Sequence, residues 1–265
     1  MAEYKGNEEF RGKSALVTGA SRGIGAATAI ALARRGVSRI WIHYGGYKEG
    51  AETIRKEVRA AGAESELLQA DLTKQSGIEQ LMAQVTKNEP DILINNAGSL
   101  IERAKLAAYS SDLWDRMDRL NMKSVYFLAQ AAAPAMTRKG WGVIINVSSI
   151  AARTGGGPGA TVYSANKAAV STLTKGLAKE LAPHGIRVNA VSPGTVDNHY
   201  HEQFSTRELL DSIAKSTPAG RLATNEDIAE TIVFLCSEAS SHIIGQTIEI
   251  NGGAYMQNFL APDIF

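Results

Sequence analysis

The sequence has very little cysteine: Cys236 is the only one among 265 residues. One thiol excludes an internal disulfide and a metal site built from cysteine pairs. Cys236 lies in the apolar run TIVFLCSEA, which predicts a small buried core residue. Long apolar runs are also missing, since none reaches the roughly 18 residues that a membrane helix requires. The segment MAEYKGNEEFRGK has no signal-peptide core. We therefore expect a cytoplasmic protein with no membrane partner.

An excess of either charge is missing as well. The chain has 28 basic and 27 acidic residues, a formal net charge of +1, and no basic block. Without a basic block nothing indicates a nucleic-acid partner, and we expect none. A hydrophobic share of 44% and a charged share of 21% are ordinary for a globular protein. No Pro- or Gly-rich linker divides the chain, so we predict one domain over residues 1–265, with a core over residues 10–256.

Short apolar segments alternate with longer helical segments along the chain. This order predicts parallel βαβ units. The short segments are apolar throughout, as expected for strands that helices cover on both faces. We therefore predict an α/β, doubly wound Rossmann fold with a seven-stranded parallel sheet and helices on both faces. The predicted strands are SALVTG, RIWIHY, SELLQADL, DILINNAG, GVIINVSS, IRVNAVSP and TIEINGG.

A glycine-rich turn, TGASRGIG, follows the first predicted strand and precedes an alanine-rich helix. Its glycine spacing, G-x-x-x-G-x-G, differs from the commoner dinucleotide pattern G-x-G-x-x-G. The physical basis is the same, because glycine permits a sharp turn and the next helix presents N–H groups to a pyrophosphate. A tight turn without a ligand is the alternative. The predicted cofactor contacts in this turn are Gly19, Ser21, Arg22, Gly23, Ile24 and Gly25.

The second and third strand ends indicate which dinucleotide binds. Sites for NAD typically place an acid on the ribose 2′-hydroxyl, but Tyr44 occupies that position here. Arg22 can instead pair with a 2′-phosphate, so we predict NADP(H) in preference to NAD(H). Asp71 is expected either to accept a hydrogen bond from adenine or to cap the next helix. Tyr44, Asp71 and Leu72 complete the contacts predicted on this side.

The segment VYSANKAAV places Tyr163 four residues before Lys167, on one face of a helix. A free phenol has a pKa of about 10, too high for ready proton exchange at neutral pH. A neighbouring ammonium favours the phenolate and lowers that pKa. Tyr163 would then be able to give a proton to a carbonyl oxygen or take one from an alcohol. Alone, the pair also fits an interfacial tyrosine beside a solvated lysine.

Five motifs, TGASRGIG, NNAG, NVSS, YSANK and SPG, occur in the order and spacing of one family. From Phe10 to Met256 the sequence resembles the short-chain dehydrogenase/reductase family. The resemblance implies a Rossmann-type enzyme that moves hydride between a nicotinamide and a carbonyl/alcohol pair. It also implies that the catalytic residues are Asn121, Ser149, Tyr163 and Lys167.

The resemblance further implies cofactor contacts from Asn95, Ala97, Gly98, Tyr163, Lys167, Pro193, Gly194 and Val196. Two positions depart from the family pattern. One extra residue separates Ser149 from Tyr163, which leaves Ser148 as an alternative, and we expect the loop TGGGPG to absorb it. Asn198 stands where the family often has threonine, and its amide can still bind the nicotinamide carboxamide.

The substrate is a small carbonyl compound or alcohol by this resemblance. The chain most resembles 3-oxoacyl-acyl-carrier-protein reductases. The alternatives are an NAD-dependent sugar, polyol or steroid dehydrogenase and, on the same fold, a non-catalytic NADP-binding redox sensor. Arg153 is expected to contact an anionic substrate group or to lie on the surface. We expect no metal, because His199 and His201 have no evident third ligand, and Tyr200 and Phe204 are expected to form an apolar wall.

Assembly is expected from the same resemblance, since members of the family form dimers and tetramers. We predict a homotetramer in which the apolar helices over residues 112–136 and 161–182 pack against copies of themselves. The apolar tail YMQNFLAPDIF is expected either to cross a subunit interface or to be a disordered end.

Overall fold

The computed structural model describes residues 9–199 and 204–259, without the side chains of residues 257–259. Seven parallel strands form one sheet in the order β3-β2-β1-β4-β5-β6-β7. The order reverses between β1 and β4, and ligands of such sheets bind beyond the carboxyl ends of the strands at that reversal. The strands are β1 Ser14–Val17, β2 Arg39–Tyr44, β3 Glu64–Gln69, β4 Ile92–Asn95, β5 Gly142–Val147, β6 Ile186–Pro193 and β7 Thr247–Ile250.

Helices cover both faces of this sheet, as the apolar strands predict. Alternate strand residues face opposite sides, so that Val17 of β1 packs in one apolar core and Leu16 in the other. The helices are α1 Gly23–Arg34, α2 Lys48–Ala60, α3 Gln75–Asn88, α4 Ser111–Asp118, α5 Ser124–Lys139, α6 Ala151–Thr154, α7 Thr161–Leu181, α8 Arg207–Ser216 and α9 Asn225–Cys236. Helices α1, α2 and α9 cover the first core, and α3, α5 and α7 cover the second. The predicted fold class is confirmed.

The long helix expected over residues 112–136 is interrupted. A π-helical segment, Arg119–Lys123, separates α4 from α5. Such segments are rare and occur frequently at functional sites. This one contains Asn121, which it turns into the protein interior.

Cys236 is fully buried at the end of α9, which confirms its predicted core position. Burial raises the pKa of its thiol to about 12, so the thiol stays protonated and unreactive at neutral pH. No helix in the described part of the chain is both long and apolar enough to cross a membrane.

Two large apolar side chains are exposed on the helices expected to meet a second subunit. Trp114 of α4 is 53% exposed and Tyr126 of α5 is 39% exposed. Met256, at the start of the predicted apolar tail, is 59% exposed, and residues 260–265 of that tail lie outside the described residues. The homotetramer stays a prediction.

Candidate active site

A cleft of about 510 Å³ opens at the carboxyl ends of the strands, next to the reversal between β1 and β4. Its volume lies within the range of small-molecule sites. Its described lining residues include arginine and lysine but neither aspartate nor glutamate, a charge balance that suits an anionic ligand. Predicted site residues that line it are Gly19, Ser21, Arg22, Gly23, Ile24, Ala97, Gly98, Ser149, Tyr163, Lys167, Pro193, Gly194 and Val196.

The glycine turn forms one wall of this cleft. Gly19 has φ +63°, and a Cβ there would lie 2.9 Å from the Cα of Ala97. A Cβ on Gly25 would lie 2.5 Å from the carbonyl oxygen of Gly19. Side chains are therefore excluded at both positions for steric reasons. The turn packs directly on the NNAG segment, which brings two of the five motifs together.

Helix α1 begins at Gly23, directly after this turn. The residue before it, Arg22, is extended, and its side chain makes no hydrogen bond to the helix. Arg22 therefore does not cap the first N–H groups of α1, and Gly23 and Ile24 line the cleft. These N–H groups and the positive end of the helix dipole fit a dinucleotide pyrophosphate.

The second asparagine of NNAG, which sequence reasoning did not select, orders the turn. The Asn96 side-chain amide donates to the carbonyl oxygens of Thr18, at 2.8 Å, and Gly19, at 3.1 Å. The Thr18 hydroxyl accepts from the backbone N–H groups of Asn96 and Ala97, both at 2.9 Å. Asn96 lies in the cleft wall. No local sequence signal separates Asn96 from its neighbour Asn95.

Lys167 is one of the residues that line the cleft. It is buried, and its Nζ donates to the carbonyl oxygen of Val147 at 2.8 Å. Burial lowers the pKa of its ammonium to about 8. Nζ lies 5.6 Å from the centre of the Tyr163 ring, which is partly buried in the same wall. The four-residue spacing thus brings a cation beside the phenol, as the sequence predicts.

The two serines of NVSS have different surroundings. Ser148 is buried, and its hydroxyl donates to the carbonyl oxygen of Lys167 at 2.8 Å and lies 2.9 Å from the Ser171 hydroxyl. Ser149 is only partly buried, and its oxygen accepts from the N–H of Ala151 at 3.1 Å. Ser148 therefore anchors α7. Both serines line the cleft, and the catalytic role of Ser149 stays a prediction.

These features match known proteins. A family model described as "Enoyl-(Acyl carrier protein) reductase" matches residues 19–255. The chain is 40% identical over 246 residues to the 3-oxoacyl-[acyl-carrier-protein] reductase FabG of Staphylococcus epidermidis, covering 92% of this chain and 99% of that protein. The chain belongs to the short-chain dehydrogenase/reductase family.

Two further relatives differ in their named substrates. The corresponding FabG of Pseudomonas aeruginosa is 36% identical over 253 residues, covering 93% of this chain and 99% of that protein. The crystal structure of a gluconate 5-dehydrogenase from Burkholderia cenocepacia, in complex with NADP and tartrate, superposes with a TM-score of 0.83 at 33% identity. It covers 94% of this chain and 98% of that one. This short-chain dehydrogenase/reductase is therefore an oxidoreductase that acts on CH–OH or carbonyl groups of a small molecule with NAD(P).

Asn95 and Asn121 of this short-chain dehydrogenase/reductase are buried and are not among the residues that line the cleft. The Asn95 amide donates to the Asn146 side chain at 2.9 Å, between β4 and β5. The Asn121 amide donates to the carbonyl oxygens of Ser99, at 2.9 Å, and Met117, at 3.0 Å, and its oxygen accepts from the Ser99 N–H. Asn121 thus ties the π segment to the chain next to Gly98.

On the side of the cleft expected to hold the adenosine, some of the predicted residues line the cleft and others do not. Arg22 is exposed at its edge, with its guanidinium 5.4 Å from the centre of the Tyr47 ring. Asp71 accepts from the Thr73 N–H and hydroxyl and pairs with Lys74, so its carboxylate closes a local turn ahead of α3. Lys74 is the N-cap residue of α3 and makes no side-chain capping hydrogen bond, and Asp71 does not take that place. Gly25, Tyr44, Asp71 and Leu72 do not line the cleft.

The loop with the extra residue forms the rim at the substrate end. Helix α6 and three glycines with positive φ (Gly155, Gly156 and Gly159) lie between β5 and α7. That this loop absorbs the extra residue stays a prediction. Arg103, which sequence reasoning missed, lines the cleft and donates to the carbonyl oxygens of Pro158, at 3.0 Å, and Phe204, at 3.3 Å. It therefore joins this loop to the segment that carries Phe204.

The remaining substrate-side predictions have mixed outcomes. Arg153 pairs with Glu249 at 2.9 Å, so a surface ion pair occupies its guanidinium. His199 and Asn198 line the cleft, and Asn198 donates to the Asn225 side chain at 3.0 Å. Tyr200 and His201 lie outside the described residues. Among described residues, no group of three His, Cys, Asp or Glu side chains forms a possible metal site.

Proposed function

We propose that the protein is an NADP(H)-dependent reductase of 3-oxoacyl thioesters carried on acyl carrier protein. The observation that carries the reductase chemistry is the buried ammonium of Lys167, 5.6 Å from the centre of the Tyr163 ring in a cleft walled by the glycine turn. The choice of a 3-oxoacyl substrate is supported by the similarity to the Staphylococcus and Pseudomonas reductases.

The mechanism assigns each side chain one task. A nicotinamide, when bound, supplies the hydride. Tyr163 donates its proton to the substrate oxygen, and Ser149 donates a hydrogen bond to the same oxygen as negative charge develops. Lys167 stabilises the phenolate that remains, by its positive charge. Asn121 is predicted to order a water molecule, and that water returns the proton to Tyr163 through Lys167.

The pH dependence should report on Lys167. Because burial lowers the pKa of its ammonium to about 8, the charge that stabilises the phenolate is lost as the pH rises through that value. We expect kcat/KM for carbonyl reduction to fall in the same range. Lys167→Arg keeps a charge with a pKa above about 12, so its alkaline limb should move upward. Folding of the variant is checked by circular dichroism. If the alkaline fall of kcat/KM occurs at the same pH in Lys167→Arg as in the wild type, the titrating group is not Lys167.

The substrate assignment is tested by following NADPH oxidation with acetoacetyl-acyl carrier protein, a crotonyl thioester and a keto sugar acid. The 3-oxoacyl substrate should give the highest kcat/KM. A preference for the sugar acid would support a second candidate, which the similarity to the Burkholderia gluconate 5-dehydrogenase favours. Reduction of the crotonyl thioester alone would make the protein an enoyl reductase, the activity named by the family model. Tight NADPH binding without turnover of any substrate would contradict all three.

The preference for NADP(H) rests on Arg22 and on the missing acid at Tyr44. We expect Arg22→Gln to raise the Kd for NADPH about tenfold, as one lost charge-assisted hydrogen bond at an exposed site allows, and to leave the Kd for NADH unchanged. Arg34→Gln, which removes the same charge at the exposed far end of α1, is the matched control. Equal changes for NADPH and NADH would exclude recognition of the 2′-phosphate by Arg22.

A further inference from the structure

The mechanism leaves the buried histidine of β2 unused. His43, on β2, is 2% exposed, and its ring lies between the glycine turn and the end of β3. Its Nδ1 lies 3.1 Å from the backbone nitrogen of Gly19, and its Nε2 lies 3.0 Å from the carbonyl oxygen of Ala70. The backbone oxygen of His43 also accepts from the N–H of Ala20 at 2.9 Å.

The two partners of the ring determine its protonation. A backbone N–H only donates, so Nδ1 must be the unprotonated acceptor from Gly19. A carbonyl oxygen only accepts, so Nε2 must carry the proton donated to Ala70. Burial lowers the pKa of the imidazole to about 4, and the ring therefore stays neutral, with Nδ1 an acceptor, at physiological pH.

Hydrogen bonds from two segments fix the backbone of Gly19. His43 accepts from its N–H, the Asn96 amide donates to its carbonyl oxygen at 3.1 Å, and Ala97 leaves no room for a Cβ on it. Gly19 lines the cleft, and the turn that it starts leads to the first turn of α1, which the Arg22 side chain does not cap. The orientation of the Gly19 peptide therefore governs where the following N–H groups point.

We propose that His43 is a positioning residue for the dinucleotide, which acts by fixing the Gly19 peptide through Nδ1. This inference rests on the proposed NADP(H) site. The contact from Nε2 to Ala70 has a different consequence, because it joins β2 to the end of β3 and does not touch the turn. The Nδ1 contact thus positions the cofactor site, whereas the Nε2 contact is purely structural.

Two substitutions separate these contacts. In His43→Asn the side-chain oxygen can take the place of Nδ1 and accept from Gly19, but it is too short to reach Ala70. In His43→Gln the amide reaches the place of Nε2 and can donate to Ala70, but the acceptor for Gly19 is lost. Each variant therefore loses one hydrogen bond, and we expect similar falls in the melting temperature of the free protein.

Cofactor binding should distinguish the variants. We expect His43→Gln to raise the Kd for NADPH about tenfold, as one lost hydrogen bond allows, with kcat at saturating NADPH retained. The Kd of His43→Asn for NADPH should stay within about twofold of the wild-type value, because the asparagine oxygen replaces the lost acceptor. Equal Kd values in both variants, or a larger loss in His43→Asn, would overturn the proposal.

A measurement on the wild type covers the case in which a variant fails to fold. The ¹⁵N spectrum of His43 should show a protonated Nε2 and an unprotonated, hydrogen-bonded Nδ1. The opposite tautomer would overturn the proposal, since a protonated Nδ1 cannot accept from Gly19. A wild-type protein that binds neither NADPH nor NADH would contradict the proposed function instead, so the two failures are distinguishable.

Discussion

Replacing Tyr163 by phenylalanine is expected to lower kcat for carbonyl reduction by about 10²–10⁴-fold, the range that a positioned general acid contributes. The ring remains, so the packing of Tyr163 against the apolar cluster around Leu100 and Met117 is retained. The glycine turn and Lys167 are also unchanged. The Kd for NADPH should therefore stay within about twofold, because the variant removes one oxygen and no charge.

The matched control for this variant is Tyr109→Phe. Tyr109 packs on the same apolar cluster, and its hydroxyl has no hydrogen-bond partner among the described residues. It should keep wild-type turnover, measured by NADPH oxidation with the 3-oxoacyl substrate. Loss of turnover and of NADPH binding together in Tyr163→Phe, with thermal unfolding unchanged, would mean that the phenol serves the cofactor site and is not the proton donor.

The parts of this site that follow from local geometry could be predicted from the sequence. The spacing of Tyr163 and Lys167 requires only a helix, and the structure places the two on one face of α7. The glycine turn requires only a strand followed by a helix. The five inner strands could be predicted because each is a short, largely apolar run, and parallel sheets bury both faces. The edge strands β3 (ESELLQ) and β7 (TIEI) are more polar and less buried, and only their place in the alternation of strands and helices predicts them.

Contacts between distant segments could not be predicted in the same way. Neighbouring residues at a strand end face opposite sides, so nothing local distinguishes Asn95, which is buried between strands, from Asn96, which lies in the cleft wall. His43 is an ordinary strand residue until β2 pairs with β1 and β3 and brings Gly19 and Ala70 to its ring. Asp71 had two open interpretations because only the structure reveals its local partners, Thr73 and Lys74.

Replacing Gly98 by alanine is the second change with a large expected effect. A Cβ at this position would lie 2.8 Å from Nζ of Lys167 and 2.9 Å from Oδ1 of Asn121. Both side chains are buried and hydrogen-bonded, so neither can move away without losing a partner. A misplacement of about 1 Å at a reacting centre can cost about 10²-fold, and we expect a loss of that order in kcat/KM.

Gly176→Ala is the control for the substitution itself. Gly176 lies in α7, and a Cβ there meets no atom within 4 Å. Alanine should stabilise that helix by about 0.5–1 kcal/mol and leave kinetics unchanged. Gly98 does not have a positive φ. The expected effect of Gly98→Ala therefore comes from crowding by the new Cβ and not from backbone strain.

A double substitution decides whether Gly98 acts through Lys167. In a Lys167→Met background the charged Nζ is absent, and the nearest remaining lysine-chain position, Cε, is 3.5 Å from the new Cβ. The loss of kcat/KM in Gly98→Ala can come from displacement of the Lys167 ammonium. In that case, adding Gly98→Ala to Lys167→Met should lower kcat/KM by less than about threefold, because the effects of coupled sites are not additive. A further fall in kcat/KM of about 10²-fold would instead assign the effect to displacement of Asn121 and the π segment. The position of Asn121 would then matter as much for turnover as Lys167.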